Sequence, residues 1–289
     1  MKNAAGYLDD LVRSLAEQNY RGEKELVVVD SGSTDGSPEQ LKALCGRYDI
    51  ELNLIVIEPL EFGHGKTRNL AIQKSRGDII AILSQDALPA SENWLANLVM
   101  PMEDDSVAGV FGRQVPRPGT NYCEALFYEL TYPMERRRMT GDDKSSFSNL
   151  SLFFSNVNGA LRKSLALGYP FRDDLVMSED QFWGRAVLHQ GYSIVYEPEA
   201  AALHSHNYSL WELFKRYFKS GYSLQQMDLH DDVIGGGAKT VVTLLRKVLE
   251  MRPWYLPYAL VYELVQGAGF LLGKHNLLPS RLRDNMLKW

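Results

Sequence analysis

Four polar clusters in this chain have the residue types and spacing to do chemistry. The first, Asp30-Ser31-Gly32-Ser33-Thr34-Asp35-Gly36, follows the apolar run Leu26 to Val29. Glycine, serine and aspartate are turn formers, so a strand-to-helix turn is one account of it and a nucleotide-binding turn is another. The second is Asp86, preceded by Ser84-Gln85 at the end of another apolar run. A single aspartate after a strand is commonplace, but two carboxylates on neighbouring loops suit a cation and a nucleotide. The third is Ser178-Glu179-Asp180-Gln181-Phe182-Trp183. Acids in the first turn of a helix favour its dipole, with Ser178 as the cap, and the same acids could act as a general base. The fourth is His204-Ser205-His206. Histidines at alternate positions of an extended segment point the same way, which raises a metal reading modestly above that of ordinary satisfied histidines.

The elements that must position these clusters follow from periodicity. Leu8, Leu11, Val12 and Leu15 recur at helical spacing. Glu25 to Asp30 reads as a buried strand, and Ser37-Pro38 as the N-cap and first-turn proline of a helix. Leu52 to Ile57 predicts a second strand, Thr67 to Lys74 a short helix and Asp78 to Leu83 a third strand. Ser91 would cap a helix through Trp94 and Val99, and Ser193 to Tyr196 reads as a later strand. Strands alternating with helices predict an α/β fold with a mostly parallel, covered sheet. Ligands then bind beyond the carboxyl ends of the strands, where Asp30 and Asp86 fall.

Composition bounds the function. The chain has 289 residues, 45% hydrophobic, and a formal net charge of −5. That charge argues against a protein that coats nucleic acid. Two cysteines, Cys45 and Cys123, make no disulfide framework, and a reducing cytosol is the default. No apolar core of signal-peptide length opens the chain. The segment Trp254 to Gly273 is the most apolar, interrupted by Pro257, Glu263, Gln266 and three glycines. It reads as a helix packed on its own domain, as a peripheral membrane contact aided by Trp254, Tyr255, Tyr258, Lys274, Arg281, Arg283 and Lys288, or as a marginal span.

Taken in order, the clusters resemble the family 2 inverting glycosyltransferases with the GT-A fold, over Lys2 to about Phe218. Val27-Val28-Val29-Asp30-Ser31-Gly32-Ser33-Thr34-Asp35 is similar to that family's first nucleotide-binding turn. Ser84-Gln85-Asp86 sits where the family carries its Asp-x-Asp metal motif, with Ser84 replacing the first acid. Glu179-Asp180 resembles the acidic pair holding the catalytic base, and His204 the histidine that completes the metal site in some members. Glu61-Phe62-Gly63-His64-Gly65-Lys66-Thr67-Arg68-Asn69, Gln85-Asp86-Ala87, Phe154-Ser155-Asn156 and Glu179-Asp180-Gln181-x-Trp183 resemble the rhamnosyltransferase-like branch.

The resemblance implies a GT-A domain over 1–210, divided into a nucleotide-sugar half (1–112) and an acceptor half (113–210), with a C-terminal helical extension over 211–289. It implies a cytoplasmic enzyme, at the inner face of the membrane if the C-terminal helices touch lipid. Its activity would be to move a sugar, with L-rhamnose from dTDP-rhamnose the best choice, onto a glycan or lipid-linked hydroxyl in cell-surface polysaccharide synthesis. Asp180 would be the base. Asp30, Ser31, Gly32, Ser33, Asp35, His64, Arg68, Gln85 and Asp86 would bind the sugar nucleotide, Asp30 by accepting a hydrogen bond from the nucleobase. Asn156, Glu179, Gln181 and Trp183 would line the acceptor and donor pocket, and Asp86 and His204 would hold Mg²⁺ or Mn²⁺. Arg68 could equally serve in a helical salt bridge. The family normally opens with an apolar strand ending in proline just before the segment matching Lys2-Asn3, so an upstream strand is expected. A nucleotidyltransferase of related fold and an inactive sugar-nucleotide-binding module are the rival readings. A dinucleotide reductase is disfavoured because no Gly-x-Gly-x-x-Gly follows a first strand.

Overall fold

The computed structural model describes residues 1–141, 154–226 and 232–287. Its first part follows the alternation of the sequence. Helix α1 (Ala5–Ala16) buries Leu8 and Val12 against Leu41, Leu44 and Cys45 of α2 (Ser37–Arg47). Strand β1 (Leu26–Asp30) pairs in parallel with β2 (Leu52–Val56), Leu26 opposite Leu52 and Asp30 opposite Val56. Helix α3 (His64–Lys74) then leads to β3 (Ile79–Leu83), followed by β4 (Leu88–Pro89) and α4 (Trp94–Val99).

The larger sheet adds β5 (Val107–Val115), β6 (Arg137–Thr140), β7 (Asn158–Arg162) and β8 (Ser193–Leu203), in the order β3-β7-β5-β8-β4 with β6 also on β8. Helices α5 (Tyr122–Thr131), α6 (Lys163–Gly168) and α7 (Glu179–His189) belong to this part of the chain. The α/β expectation stands, but the expected mostly parallel sheet is a mixed one. Only β1–β2 and β5–β8 pair in parallel; β7 inserts antiparallel between β3 and β5, and β4 and β6 run antiparallel to β8. Strand–helix alternation predicts parallel neighbours only where successive strands are themselves adjacent, and β3 and β5 are separated by a strand from much later in the chain.

Between the two sheets, β1 and β3 share no ladder. At the carboxyl end of that interval the Met1 ammonium donates to Val29 O, and Ser31 N donates to Met1 O at 3.0 Å. Gln85 holds Lys2 at two points, accepting from its N–H at 2.8 Å and donating to its carbonyl at 3.1 Å.

Several boundaries move for local reasons. α3 starts at His64, three residues early, because extended Gly63 supplies the entry. Gly36, in the left-handed region at φ 83°, occupies the N-cap of α2, making Ser37 its first helical residue. Asn93, not Ser91, precedes α4. β8 continues through Pro198 to Leu203, because its register with β5 breaks between Glu197 and Ala202, where proline has no N–H to give. Gly112 makes the closest of these approaches: a Cβ there would stand 1.9 Å from Ala200 O. Buried Asn158 ties this irregularity down, donating to Arg113 O at 3.1 Å and Ala200 O at 2.8 Å and accepting from Trp94 Nε1 at 2.7 Å.

The C-terminal part comprises α8 (Leu210–Gln225), α9 (Asp232–Met251), α10 (Leu256–Lys274) and α11 (Ser280–Leu287). α8 and α10 pack backbone to backbone: a Cβ on Gly273 would lie 2.1 Å from Phe218 O, and one on Gly269 2.6 Å from Phe214 O. Of the three readings of Trp254 to Gly273, packing on the domain holds for one face, where Ala259, Tyr262, Glu263, Gly269 and Gly273 are buried. The opposite face, including Leu260, Val261, Leu264 and Leu271, is exposed. No helix among the described residues is long and apolar enough to cross a membrane.

Candidate active site

Asp86 lies just past β3, and His204 and His206 just past β8; their ligand atoms all fall within 4.8 Å of one another. The Nε2 atoms of both histidines are 3.7 Å from Asp86 Oδ2. The other nitrogen of His204 faces the Oε1 of Gln114 at 2.9 Å and the hydroxyl of Tyr128 at 3.2 Å. With Nδ1–H donated to the Gln114 oxygen, the Nε2 lone pair faces Asp86. Burial pushes the His204 pKa down to about 4 against the pull of Asp86, and burial also lowers that of His206. Both rings are therefore neutral near pH 7, the state a cation requires. Arg117 fixes the loop by donating to Asp86 O at 2.7 Å and, through its backbone, to Ser205 Oγ at 3.0 Å. Two neutral nitrogens and one carboxylate fit a divalent ion of the first transition row better than Mg²⁺.

Gln114 joins this cluster to a second one. The Gln114 side chain is buried, and its Nε2 donates to Tyr132 OH at 2.6 Å and Ser155 Oγ at 3.0 Å. The next residue, Asn156, donates its N–H to Asp180 Oδ2 at 3.1 Å and its Nδ2 to Glu179 Oε1 at 3.2 Å. Gln181 N also donates to Asp180, at 2.8 Å. Burial, then the adjacent Glu179 carboxylate, pushes Asp180 up to about 6. That value places a carboxylate that is ionised at neutral pH yet basic enough to take a proton. Ser178, expected to cap this helix, stands at its N-cap with φ 67° and makes no side-chain cap hydrogen bond. A left-handed non-glycine residue costs about 1–3 kcal/mol and is concentrated at functional sites.

The other expected site residues divide by what they touch. Asp30 accepts from Gly32 N, Ser33 N and Ser33 Oγ, shaping the turn. Asp35 accepts from Ser37 and from Ala5 N, joining the turn to α1. Ser31 and Ser33 bond to Met1 and Asn3, and Gly32 takes φ 77°. Gln85 is committed to Lys2. Arg68 forms an ion pair with Glu179 across α3 and α7, so it borders Asp180. His64 opens α3 edge-on to Phe62, and burial followed by the Arg68 charge lowers its pKa to about 4. Gln181 anchors α7 to Phe154 O. Trp183 is buried in the core, 4.8 Å from the Phe154 ring and 6.0 Å from Phe171. His206, Gln114, Tyr128 and Ser155 were not among the expected site residues. Alternate spacing signalled His206; Gln114 had no sequence signal, because its partners Tyr132, Ser155 and His204 are remote along the chain.

The Gln114 contact carries a prediction. Gln114→Leu should weaken Mn²⁺ binding about 10- to 100-fold, as loss of a partner to a ligating histidine generally does. Calorimetric titration with Mn²⁺ checks it; an unchanged affinity would remove Gln114 from the metal site.

The chain resembles known proteins in sequence and in fold. Residues 1–165 match the family model described as Glycosyl transferase family 2. The chain is 32% identical to the O-antigen chain rhamnosyltransferase WbaN of Salmonella anatum over 258 residues, 87% of this chain and 80% of that protein. It is 30% identical to the O-antigen chain rhamnosyltransferase RfbN of Salmonella typhimurium over 281 residues, 94% and 87% of the two chains. In fold it is similar to the mannosyltransferase PcManGT of Pyrobaculum calidifontis, solved with GDP-Man and Mn²⁺, at TM-score 0.58 and 20% identity over 99% of this chain and 76% of that one. It is also similar to S. aureus TarS 1–349 in complex with UDP, at TM-score 0.57 and 15% identity over 96% and 89%.

Proposed function

We infer that this chain, which belongs to glycosyl transferase family 2, moves L-rhamnose from dTDP-rhamnose to a hydroxyl of a growing cell-surface polysaccharide, with inversion. The observation that carries the reading is the pairing, through Gln114, Ser155 and Asn156, of an Asp-His-His cluster with a half-buried carboxylate poised near pH 6. The rhamnose assignment rests on the two relatives of at least 30% identity and on the Phe154-Ser155-Asn156 and Glu179-Asp180-Gln181 segments around that carboxylate.

Asp86, His204 and His206 would hold a divalent cation, Mn²⁺ in preference to Mg²⁺, which as a Lewis acid would neutralise charge on the donor's diphosphate. The Asp30 turn, with its backbone locked by internal hydrogen bonds, presents the surface on which the nucleotide rests. Asp180 takes the acceptor hydroxyl's proton while that oxygen attacks the anomeric carbon. Glu179, held by Arg68 and Asn156, keeps Asp180 basic and fixes the start of α7. A panel of sugar nucleotides (dTDP-rhamnose, UDP-GlcNAc, GDP-mannose) tested for Mn²⁺-dependent turnover checks the donor. Fastest turnover with dTDP-rhamnose is expected; preference for another donor would overturn the rhamnose assignment.

The lipid-linked acceptor and the membrane contact belong to the same reading. Residues 239–289 carry eight lysines and arginines against three acids, in a chain otherwise acidic. Their exposed apolar stripe on α10, with Trp254 three-quarters exposed at one end, faces outward beside Lys274, Arg281 and Arg283. Lys288 lies outside the described residues. Such a face suits anionic lipid on the cytoplasmic side. Sedimentation with phosphatidylglycerol vesicles should carry the protein down, and Leu264→Asp should release it; equal recovery in the supernatant with and without vesicles would contradict the contact.

A further inference from the structure

The segment His204-Ser205-His206 carries two of the three candidate metal ligands, yet it has no regular structure of its own. His204 N donates to Val115 O, at the end of β5, at 2.9 Å; from there to the start of α8 the chain is neither helix nor strand. Metal ligands must be placed to within about 0.2 Å, so this stretch has to be held from outside. The chain between β5 and α5 does so. Ser205 Oγ accepts from Arg117 N at 3.0 Å and lies 2.6 Å from Thr120 Oγ1. Asn207 Oδ1 accepts from Asn121 N at 2.8 Å, and its Nδ2 donates to Gly119 O at 3.1 Å.

His206 is held by α5 itself. Glu124 and Tyr128 stand four residues apart on one face of that helix, and each serves one histidine. The Tyr128 hydroxyl is 3.2 Å from His204 Nδ1, and Glu124 Oε1 accepts from His206 N at 3.2 Å. Glu124 is only 7% exposed, on a helix that also buries Cys123 and Leu126. A carboxyl group is costly to bury unless it is hydrogen-bonded, and the bond it makes here goes to the metal segment. The His206 ring packs against those of His204 and Tyr208, with both centroids 4.7 Å away, so its own rotation is limited and its backbone decides where Nε2 stands. The C-terminal extension fixes α5 in turn: Cys123 and Leu126 share an apolar cluster with Leu213 of α8, Val248 of α9 and Tyr262 of α10, and Asn121 Nδ2 donates to Tyr258 OH at 3.0 Å.

We propose that Glu124 is a positioning residue for the metal site: by accepting the N–H of His206 it holds that ring's Nε2 where a cation can share it with Asp86 and His204; this rests on the metal reading given above. Glu124 touches neither the cation nor a substrate, and it acts through His206. The role calls for an acceptor oxygen rather than a charge, because the donor is a neutral backbone amide. Partners of this kind, one bond behind the ligands, set ligand geometry and with it metal affinity. Through α5 the C-terminal extension then bears on the metal site without supplying a ligand to it.

The test is calorimetric titration of the full chain with Mn²⁺ alone, in four proteins: unaltered, Glu124→Met, His206→Ala and the two changes together. Glu124→Met keeps the length of the side chain but removes the acceptor, and should lose about 10-fold in Mn²⁺ affinity. In the His206→Ala background the same change should cost no more than about twofold, since the residue it acts through is gone. Glu124→Gln keeps an acceptor oxygen and should stay within about threefold of the unaltered protein. Unchanged affinity in Glu124→Met would overturn the assignment. Equal losses with and without His206 would overturn it as well, because Glu124 would then support the fold and not the ligand. Should Glu124→Met not fold, Glu124→Gln decides: a loss as large as that of His206→Ala would refute the role. If the unaltered protein binds no Mn²⁺, the metal reading falls and this assignment with it.

Discussion

Asp180→Asn is expected to reduce transfer by about 100-fold or more, the usual cost of losing a general base, while donor binding stays intact. Asparagine keeps the shape but offers one acceptor oxygen where Asp180 uses two, Oδ2 for Asn156 N and Oδ1 for Gln181 N, so it retains one of those contacts and cannot take the acceptor's proton. The pH profile adds an independent reading. The base form is needed, and burial followed by Glu179 pushes Asp180 up to about 6. The rate should therefore be level above that pH and fall about tenfold per pH unit below it, as a single ionisation requires. Glu179→Gln removes a negative neighbour, so it should move this limb to lower pH even if it also slows the enzyme. Near-normal turnover by Asp180→Asn, or an acid limb that Glu179→Gln leaves in place, would refute the assignment of the base.

Removal of the metal should have an effect of similar size. Excess EDTA is expected to stop transfer, Mn²⁺ to restore it and Mg²⁺ to restore it less well, because two of the three ligands are nitrogen. Asp86→Ala should be inactive at any Mn²⁺ concentration tested. His206→Ala should raise the Mn²⁺ concentration needed for half-maximal rate, because Asp86 and His204 remain. The charge stabilisation at stake is several kcal/mol, or at least about 100-fold in rate. Full activity in EDTA would exclude the cation from the mechanism.

What the sequence disclosed follows from where local patterns govern. The turn after β1 and Asp86 after β3 were legible because alternating strands and helices place such loops on one edge. Glu179 and Asp180 were legible because acids at a helix start are conspicuous. The spacing of His204 and His206 is local too, and it indicated that both rings point the same way. The antiparallel entry of β7 was hidden, since it joins Ile79–Leu83 to residues far along the chain. Gln114 reads as one more strand residue until the fold brings His204, 90 positions later, against it. Trp183 fits a pocket motif in one dimension, but between Phe154 and Phe171 it belongs to the core. Gln85 and Arg68 likewise answer to partners remote in sequence, Lys2 and Glu179.

The proposed function is one displacement at the anomeric carbon, in which Asp180 would stand on the acceptor side and the Asp86-His204-His206 cluster on the leaving-group side. A single displacement from opposite faces must invert the centre. The most direct measurement is the anomeric configuration of the transferred sugar, read by NMR from the one-bond carbon–proton coupling and compared with that of the donor. The account predicts the opposite configuration; a product that retains the donor's configuration would contradict it.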